Sequence, residues 1–134
     1  MIGFVNNIEK LTLENSNYRK VIYTGNYSQL VLMCLKPGEN IHKEVHPTVD
    51  QFFRIEQGNG IAIINNKKYK LYDGIGLIIP AGYKHQIINT SKTKELKLYT
   101  IYTPPEHKDK LIQKDKPMNQ DGGKIYFKFN SLII

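Results

Sequence analysis

The sequence predicts an all-β domain, built either as two sheets packed face to face or as a closed barrel. Three observations point there. Strand-like runs recur between residues 27 and 102 at the spacing of about 8–12 residues expected of antiparallel sandwiches and barrels. The joints between them are turn chemistry, among them Lys36-Pro37-Gly38-Glu39-Asn40, Gln57-Gly58-Asn59, Asn65-Asn66 and Pro80-Ala81-Gly82. Across that region no helix-length stretch carries a 3.6-residue apolar period.

Taken in order, residues 1–28 read as short extended pieces, Phe4-Val5, Ile8 to Leu13 and Arg19 to Thr24, expected to pack as N-terminal strands on the barrel. The alternation through Ile8 to Leu13 is irregular, which leaves a turn of helix open there. The barrel core is expected over residues 29–103. Its first strand, Tyr27 to Leu35, is rich in β-branched and aliphatic residues and stops at the Pro37-Gly38 turn. Further strands follow at Ile41 to His46, Gln51 to Glu56, Gly60 to Ile64, Lys68 to Leu71, Gly76 to Ile79, His85 to Thr90 and Glu95 to Tyr102. Residues 104–134 form a polar loop and an apolar tail. Glu106 to Gly123 is lysine-rich, whereas Lys124 to Ile134 returns to strand-like composition and is expected to dock on its own domain or on a partner subunit.

At 134 residues the chain is one domain, long enough to bury roughly two-thirds of the surface its unfolded form exposes. The single cysteine, Cys34, excludes an intrachain disulfide and reads as a small buried hydrophobe. The first residues lack the pattern of a signal peptide, and no apolar run approaches the ~20 residues of a membrane span. A cytoplasmic protein without membrane contact is therefore expected. The net charge of +7 invites a nucleic-acid partner. The lysines, however, are scattered through turns and interleaved with acids, and no recognition-helix pattern is present, so none is expected.

The chemistry concentrates between Gly38 and Asn89. In a strand, residues two apart share a face, so His42, Glu44 and His46 would look one way and Ile41, Lys43 and Val45 the other. Histidine and glutamate on one interior face are expensive to desolvate, and a cation offsets that cost. Gln51 shares a face with Phe53 and Ile55, which places an amide oxygen among apolar groups. His85 opens a strand directly after the tight Pro80-Ala81-Gly82 corner, with Ile87 and Asn89 on its face. Glu44, His46, Gln51 and His85 are thus a mixed nitrogen and oxygen ligand set for one divalent transition metal, Fe, Mn, Ni, Co or Zn. His42 and His107 read as structural histidines.

The spacing also carries a family resemblance. Gly74, Pro80, Gly82, His85 and Asn89 stand as in the second motif of the cupins, and Gly38, His46 and Gly58 as in the first. Glu44 replaces the usual first histidine and Gln51 the usual glutamate, so the carboxylate has in effect moved between two ligand positions. The chain therefore resembles a small single-domain cupin with an altered first motif. That resemblance implies a double-stranded β-helix, or jelly-roll, barrel that binds a small molecule. The implied chemistry is that of a metal-dependent dioxygenase or of a sugar isomerase or epimerase, the alternative being a non-catalytic, even metal-free, ligand-binding or sensor barrel. Phe53, Ile55, Tyr83, Ile87 and Tyr102 are expected to line the pocket, and no residue is assigned a catalytic role. A homodimer is expected through an outer face bearing Phe52, Ile78 and Ile88.

Overall fold

The computed structural model describes residues 2–118. It contains one helix, α1 (Ile8–Glu14), and ten strands: β1 (Arg19–Thr24), β2 (Gln29–Leu35), β3 (Asn40–Val45), β4 (Asp50–Gln57), β5 (Gly60–Ile64), β6 (Lys67–Leu71), β7 (Gly76–Ile79), β8 (Lys84–Asn89), β9 (Leu96–Thr103) and β10 (Ile112–Gln113). The strands form a six-stranded sheet in the order β10-β1-β2-β9-β4-β7 and a four-stranded sheet in the order β3-β8-β5-β6. All strand pairs are antiparallel. The expected barrel strands are all present, with ends that move by one or two residues.

The register of the larger sheet explains its inner face. Residues opposite one another share a face, so Gln29, Tyr102, Gln51 and Ile79 form one inward row. Val31, Thr100 and Phe53 form the next, and Arg19, Met33, Leu98 and Ile55 the one after. The smaller sheet contributes Ile41, Ile87 and Ala62. Phe53, Ile55, Ala62 and Ile87 are completely buried, and full burial of a side chain of their larger kind stabilises by roughly 1.5–3 kcal/mol.

Two sequence expectations are corrected. The piece Ile8 to Leu13 is helical, not extended. The Asn7 side chain accepts the Lys10 N–H at 3.0 Å as an N-cap, and Ile8, Leu11 and Thr12 follow helical spacing. The helix packs on the outer face of the larger sheet, and the Lys97 ammonium donates to the Leu13 carbonyl at 2.6 Å near its C-terminus. That cover buries Leu32 and Cys34 from outside, and burial pushes the Cys34 thiol up to about 11. The second correction lies in β3. A bulge falls between Ile41 and Glu44, where His42 and Lys43 together oppose Gln86. Ile41 therefore faces inward like Glu44, and the strict alternation expected of His42, Glu44 and His46 is broken.

The glycines of both motifs, Gly38, Gly58, Gly74 and Gly82, all have positive φ. At Gly58 (φ +100°) a Cβ would also stand 2.5 Å from the Glu95 carbonyl oxygen, so no other residue fits that turn without moving backbone. Asn89 has an equally structural role. Its amide donates to the carbonyls of Leu35, Lys36 and Lys94 at 2.9–3.1 Å and its oxygen accepts the Ser91 N–H, tying the end of β8 to the β2–β3 turn. The apolar tail, and the docking expected of it, lie outside the described residues.

Candidate metal centre

β3 and β8 bring three of the expected ligands together. Glu44 pairs with His85 across the ladder, and His46 follows just beyond the end of β3. The Glu44 carboxylate oxygen Oε1 lies 3.3 Å from His46 Nε2 and 3.6 Å from His85 Nε2. One ligand atom from each of the three residues fits within a sphere of mutual separations under 4.8 Å. His85 is 1% exposed, and both Nε2 atoms are buried without a hydrogen-bond partner.

The far side of each ring bears on what Nε2 can offer. His85 Nδ1 lies 3.3 Å from the Tyr83 carbonyl oxygen, an acceptor, so Nδ1 carries the proton and Nε2 a lone pair. His46 stands between two carboxylates, Glu44 at 3.3 Å from Nε2 and Glu106 at 3.6 Å from Nδ1, so either ring nitrogen can carry its proton. With the protons on Nδ1, two lone pairs converge on a carboxylate oxygen, an arrangement that a cation among them would stabilise. Donors held at ~2.1 Å from one ion stand about 3.0–3.4 Å apart at octahedral or tetrahedral angles; the Glu44–His46 separation of 3.3 Å lies in that range and the Glu44–His85 separation of 3.6 Å just beyond it. The residues fit a divalent ion.

Electrostatics agree with the geometry. Burial opposes ionisation of Glu44, but the His46 and His85 imidazoles beside it, with the Arg19 charge adding to them, hold its carboxyl far below the usual range. The Glu44 carboxylate raises the basicity of His46 against the effect of burial. Glu44 is therefore an anion at any physiological pH.

Gln51 is buried, and its amide donates from Nε2 to the Thr100 hydroxyl at 3.0 Å. Its Oε1 is left buried with no partner, which fits an amide aimed by Thr100 to offer oxygen. Of the residues expected in the pocket wall, Phe53, Ile55, Ile87 and Tyr102 are inside. The Phe53 ring packs 6.3 Å from His85, and the Tyr102 ring meets His46 edge-on at 6.0 Å. Tyr83 is not inside. Its side chain is 43% exposed and borders an outer groove between β6 and β7, because the Gly82 turn leaves only its carbonyl facing His85.

The segment after β9 supplies groups that sequence reasoning passed over. His107 Nε2 lies 3.1 Å from the Tyr102 hydroxyl and the rings meet edge-on at 5.0 Å. Burial, with the Arg19 charge, lowers His107 to about 4, so it is neutral. Burial likewise raises Tyr102 far above its ordinary value and keeps it a phenol. Gln29 pins this segment: it accepts the N–H groups of Glu106 and His107 at 3.1 and 2.9 Å and donates to the His107 carbonyl at 2.7 Å. The only signal in the sequence was a Glu-His pair after Thr103-Pro104-Pro105, which names no contact seventy-eight positions away.

Comparison with known proteins places these features. Residues 31–102 match a family model described as "Cupin domain". The chain is 48% identical over 123 residues to an uncharacterized protein of Acanthamoeba polyphaga mimivirus, covering 90% of this chain and 76% of that one. It is 46% identical over 110 residues to the uncharacterized protein YrkC of Bacillus subtilis (strain 168), covering 78% of this chain but only 59% of the relative. The crystal structure of BH2720 from Bacillus halodurans superposes with a TM-score of 0.81 at 37% identity, over 83% of this chain and 88% of that one. Among the described residues no helix is long and apolar enough to cross a membrane.

Proposed function

The chain belongs to the cupin family, and on that premise we propose that its barrel holds one divalent transition metal through Glu44, His46 and His85, with the Gln51 oxygen as a fourth donor, and binds a small molecule beside it. The observation that carries this reading is the pair of buried, unpartnered Nε2 atoms converging on one ionised carboxylate oxygen. An ion bound there supplies Lewis acidity to an oxygen of the bound molecule. The protein's own groups divide the remaining work. Glu106 orients His46 from behind, as the Tyr83 carbonyl orients His85. Phe53, Ile55 and Ile87 keep water from the inner side. Tyr102, held neutral, packs its ring edge-on against His46 while its hydroxyl is held by His107. Two imidazoles and one carboxylate match the donor set of non-haem iron oxygenases, which favours a dioxygenase over a sugar isomerase within the family's range.

A metal-free binding barrel is the second reading, and one observation favours it: the raised basicity of His46 lets a proton between it and Glu44 do part of what a cation would. Elemental analysis separates the two. Protein purified without an affinity tag is expected to carry metal that a Glu44→Ala, His85→Ala double variant lacks; equal, near-zero contents would sink the metal reading. Oxygen uptake with catechols, thiols and diketones, abolished by His46→Ala, would establish turnover. A homodimer is proposed on the outer face where Phe52 pairs with Ile78, 66% exposed; Ile88, expected on the same face, lies on the smaller sheet instead. Sedimentation showing only a 15.5 kDa species contradicts it.

A further inference from the structure

Outside the Glu44–His46–His85 cluster, the inner face of the larger sheet holds, among the described residues, one more charge. Arg19 on β1 faces inward in the row of Met33, Leu98 and Ile55 and is 1% exposed. One of its terminal nitrogens donates to Gln113 Oε1 on β10, and its guanidinium stands over the Tyr18 ring at 5.1 Å. Its Nε–H is buried without a partner, and so is the Tyr18 hydroxyl beside it. Among the described residues no carboxylate lies within ion-pairing distance of it.

A buried guanidinium in a purely structural role is expected to have its donors filled and its charge matched, because leaving either undone is strongly destabilising. Here, among the described residues, the Arg19 Nε–H and the Tyr18 hydroxyl have no acceptor and no carboxylate pairs with the charge. The field of Arg19 reaches Glu44, His46, Tyr102 and His107, which sets it in the same interior as the candidate centre. If the cluster holds a divalent ion, Glu44 offsets one of its two charges, and the interior then carries two uncompensated positive charges, one on the ion and one on Arg19.

We propose that the buried Arg19 guanidinium and the Tyr18 hydroxyl recognise an anionic group in the barrel interior, and that the small molecule bound in this barrel carries a carboxylate. The inference deepens the small-molecule reading and rests on it. A carboxylate accepts from both orphaned donors and neutralises the guanidinium in one step. Two donors and one guanidinium suit a single carboxylate group. A phosphate group would leave acceptor oxygens unfilled at these two donors.

Isothermal titration of the full chain tests this, with the protein metal-free in one arm and manganese-loaded in the other. Pyruvate, malonate and benzoate are the probes, malonamide is the neutral counterpart and inorganic phosphate the competing anion. Saturable binding of a carboxylate probe is expected in at least one arm, weakened tenfold or more by Arg19→Met and severalfold by Tyr18→Phe, with malonamide inert. Should Arg19→Met fail to fold, Tyr18→Phe, which removes one oxygen, decides. Carboxylate binding unchanged by the variants, malonamide or phosphate binding as tightly, or no binding in either arm would overturn the proposal. Carboxylate binding in the metal-free arm, with no metal taken up in the other, removes the metal reading and leaves this one standing.

Discussion

The two imidazoles of the candidate centre are held in opposite ways. His85 sits on β8, a strand paired on both sides by β3 and β5, and follows a glycine corner that fixes its approach. His46 lies beyond the end of β3, an edge strand with a bulge, and is oriented by Glu106 from a segment that Gln29 pins. Ladder pairing on both sides positions the first, whereas the second has a single backbone bond, from the Gly82 N–H to its carbonyl at 2.9 Å, and an orienting carboxylate. The histidine on the central strand should therefore tolerate changes elsewhere that misplace its partner on the edge.

The sharpest break of that comparison is removal of the ligands themselves. His85→Ala takes out a lone pair in a site that cannot collapse to replace it, and metal affinity should fall on the order of a thousandfold, about 4 kcal/mol. His46→Ala should weaken binding by less, since the end of β3 can shift and let Glu44 or water fill the place. Titration of both metal-free variants with manganese or zinc measures the difference, and equal losses would mean the strand context is irrelevant.

The next effect is on the frame. Asn89→Ala leaves the carbonyls of Leu35, Lys36 and Lys94 without their shared donor and should lower stability by about 2–4 kcal/mol. Urea unfolding would show it as a lower midpoint at unchanged slope. Because Asn89 ties β8 to the β2–β3 turn and touches no ligand, metal affinity of the folded fraction should stay within a fewfold of the parent. A large affinity loss would mean that the frame and the site are not separable.

This separation also explains what was legible in the sequence. Pro80 and Gly82 mark a turn by local backbone geometry, and local geometry is what spacing encodes; hence the corner before His85 could be read directly, whereas Asn89, whose bonds reach Leu35 and Lys36, was legible only through the family motif. Glu44 could be read as well, although through a faulty register, since a bulge adds one residue without a distinctive signal and moved Ile41 to the inner face. The helix Ile8–Glu14 was left open beside an extended reading, because only part of one apolar face and an asparagine cap mark it. Tyr83 looked interior because it adjoins His85, but the turn sends its ring outward. Gln29, Arg19, Glu106 and His107 act across sequence distances that no spacing rule spans.

A smaller effect probes the tertiary side alone. Glu106→Gln keeps the shape that faces His46 Nδ1 and removes its charge, so His46 becomes a weaker donor without being displaced. Metal affinity should fall about tenfold, the lower end of what outer partners of metal-bound histidines contribute. Far-ultraviolet circular dichroism and the urea midpoint should not change. An affinity equal to the parent's would show that His46 is oriented by β3 and not by the segment after β9.

The smallest effect concerns His107 and has a definite sign. It titrates near its ordinary value of about 6.5 when unfolded but near 4 when folded, because burial and Arg19 disfavour its charge. Between those values the unfolded chain binds more protons, so His107 contributes stability that is complete above about pH 6.5 and is lost as the pH falls toward 4. Allowing for solvent screening of this partly exposed ring, the loss by pH 5 is on the order of 1 kcal/mol, or a few degrees in Tm. His107→Gln can keep a contact with Tyr102 without titrating, so in metal-free protein its Tm should fall less than the parent's between pH 7 and pH 5. If both fall equally, the ring is solvated in solution, and the segment carrying Glu106 is not pinned over His46 as Gln29 holds it here.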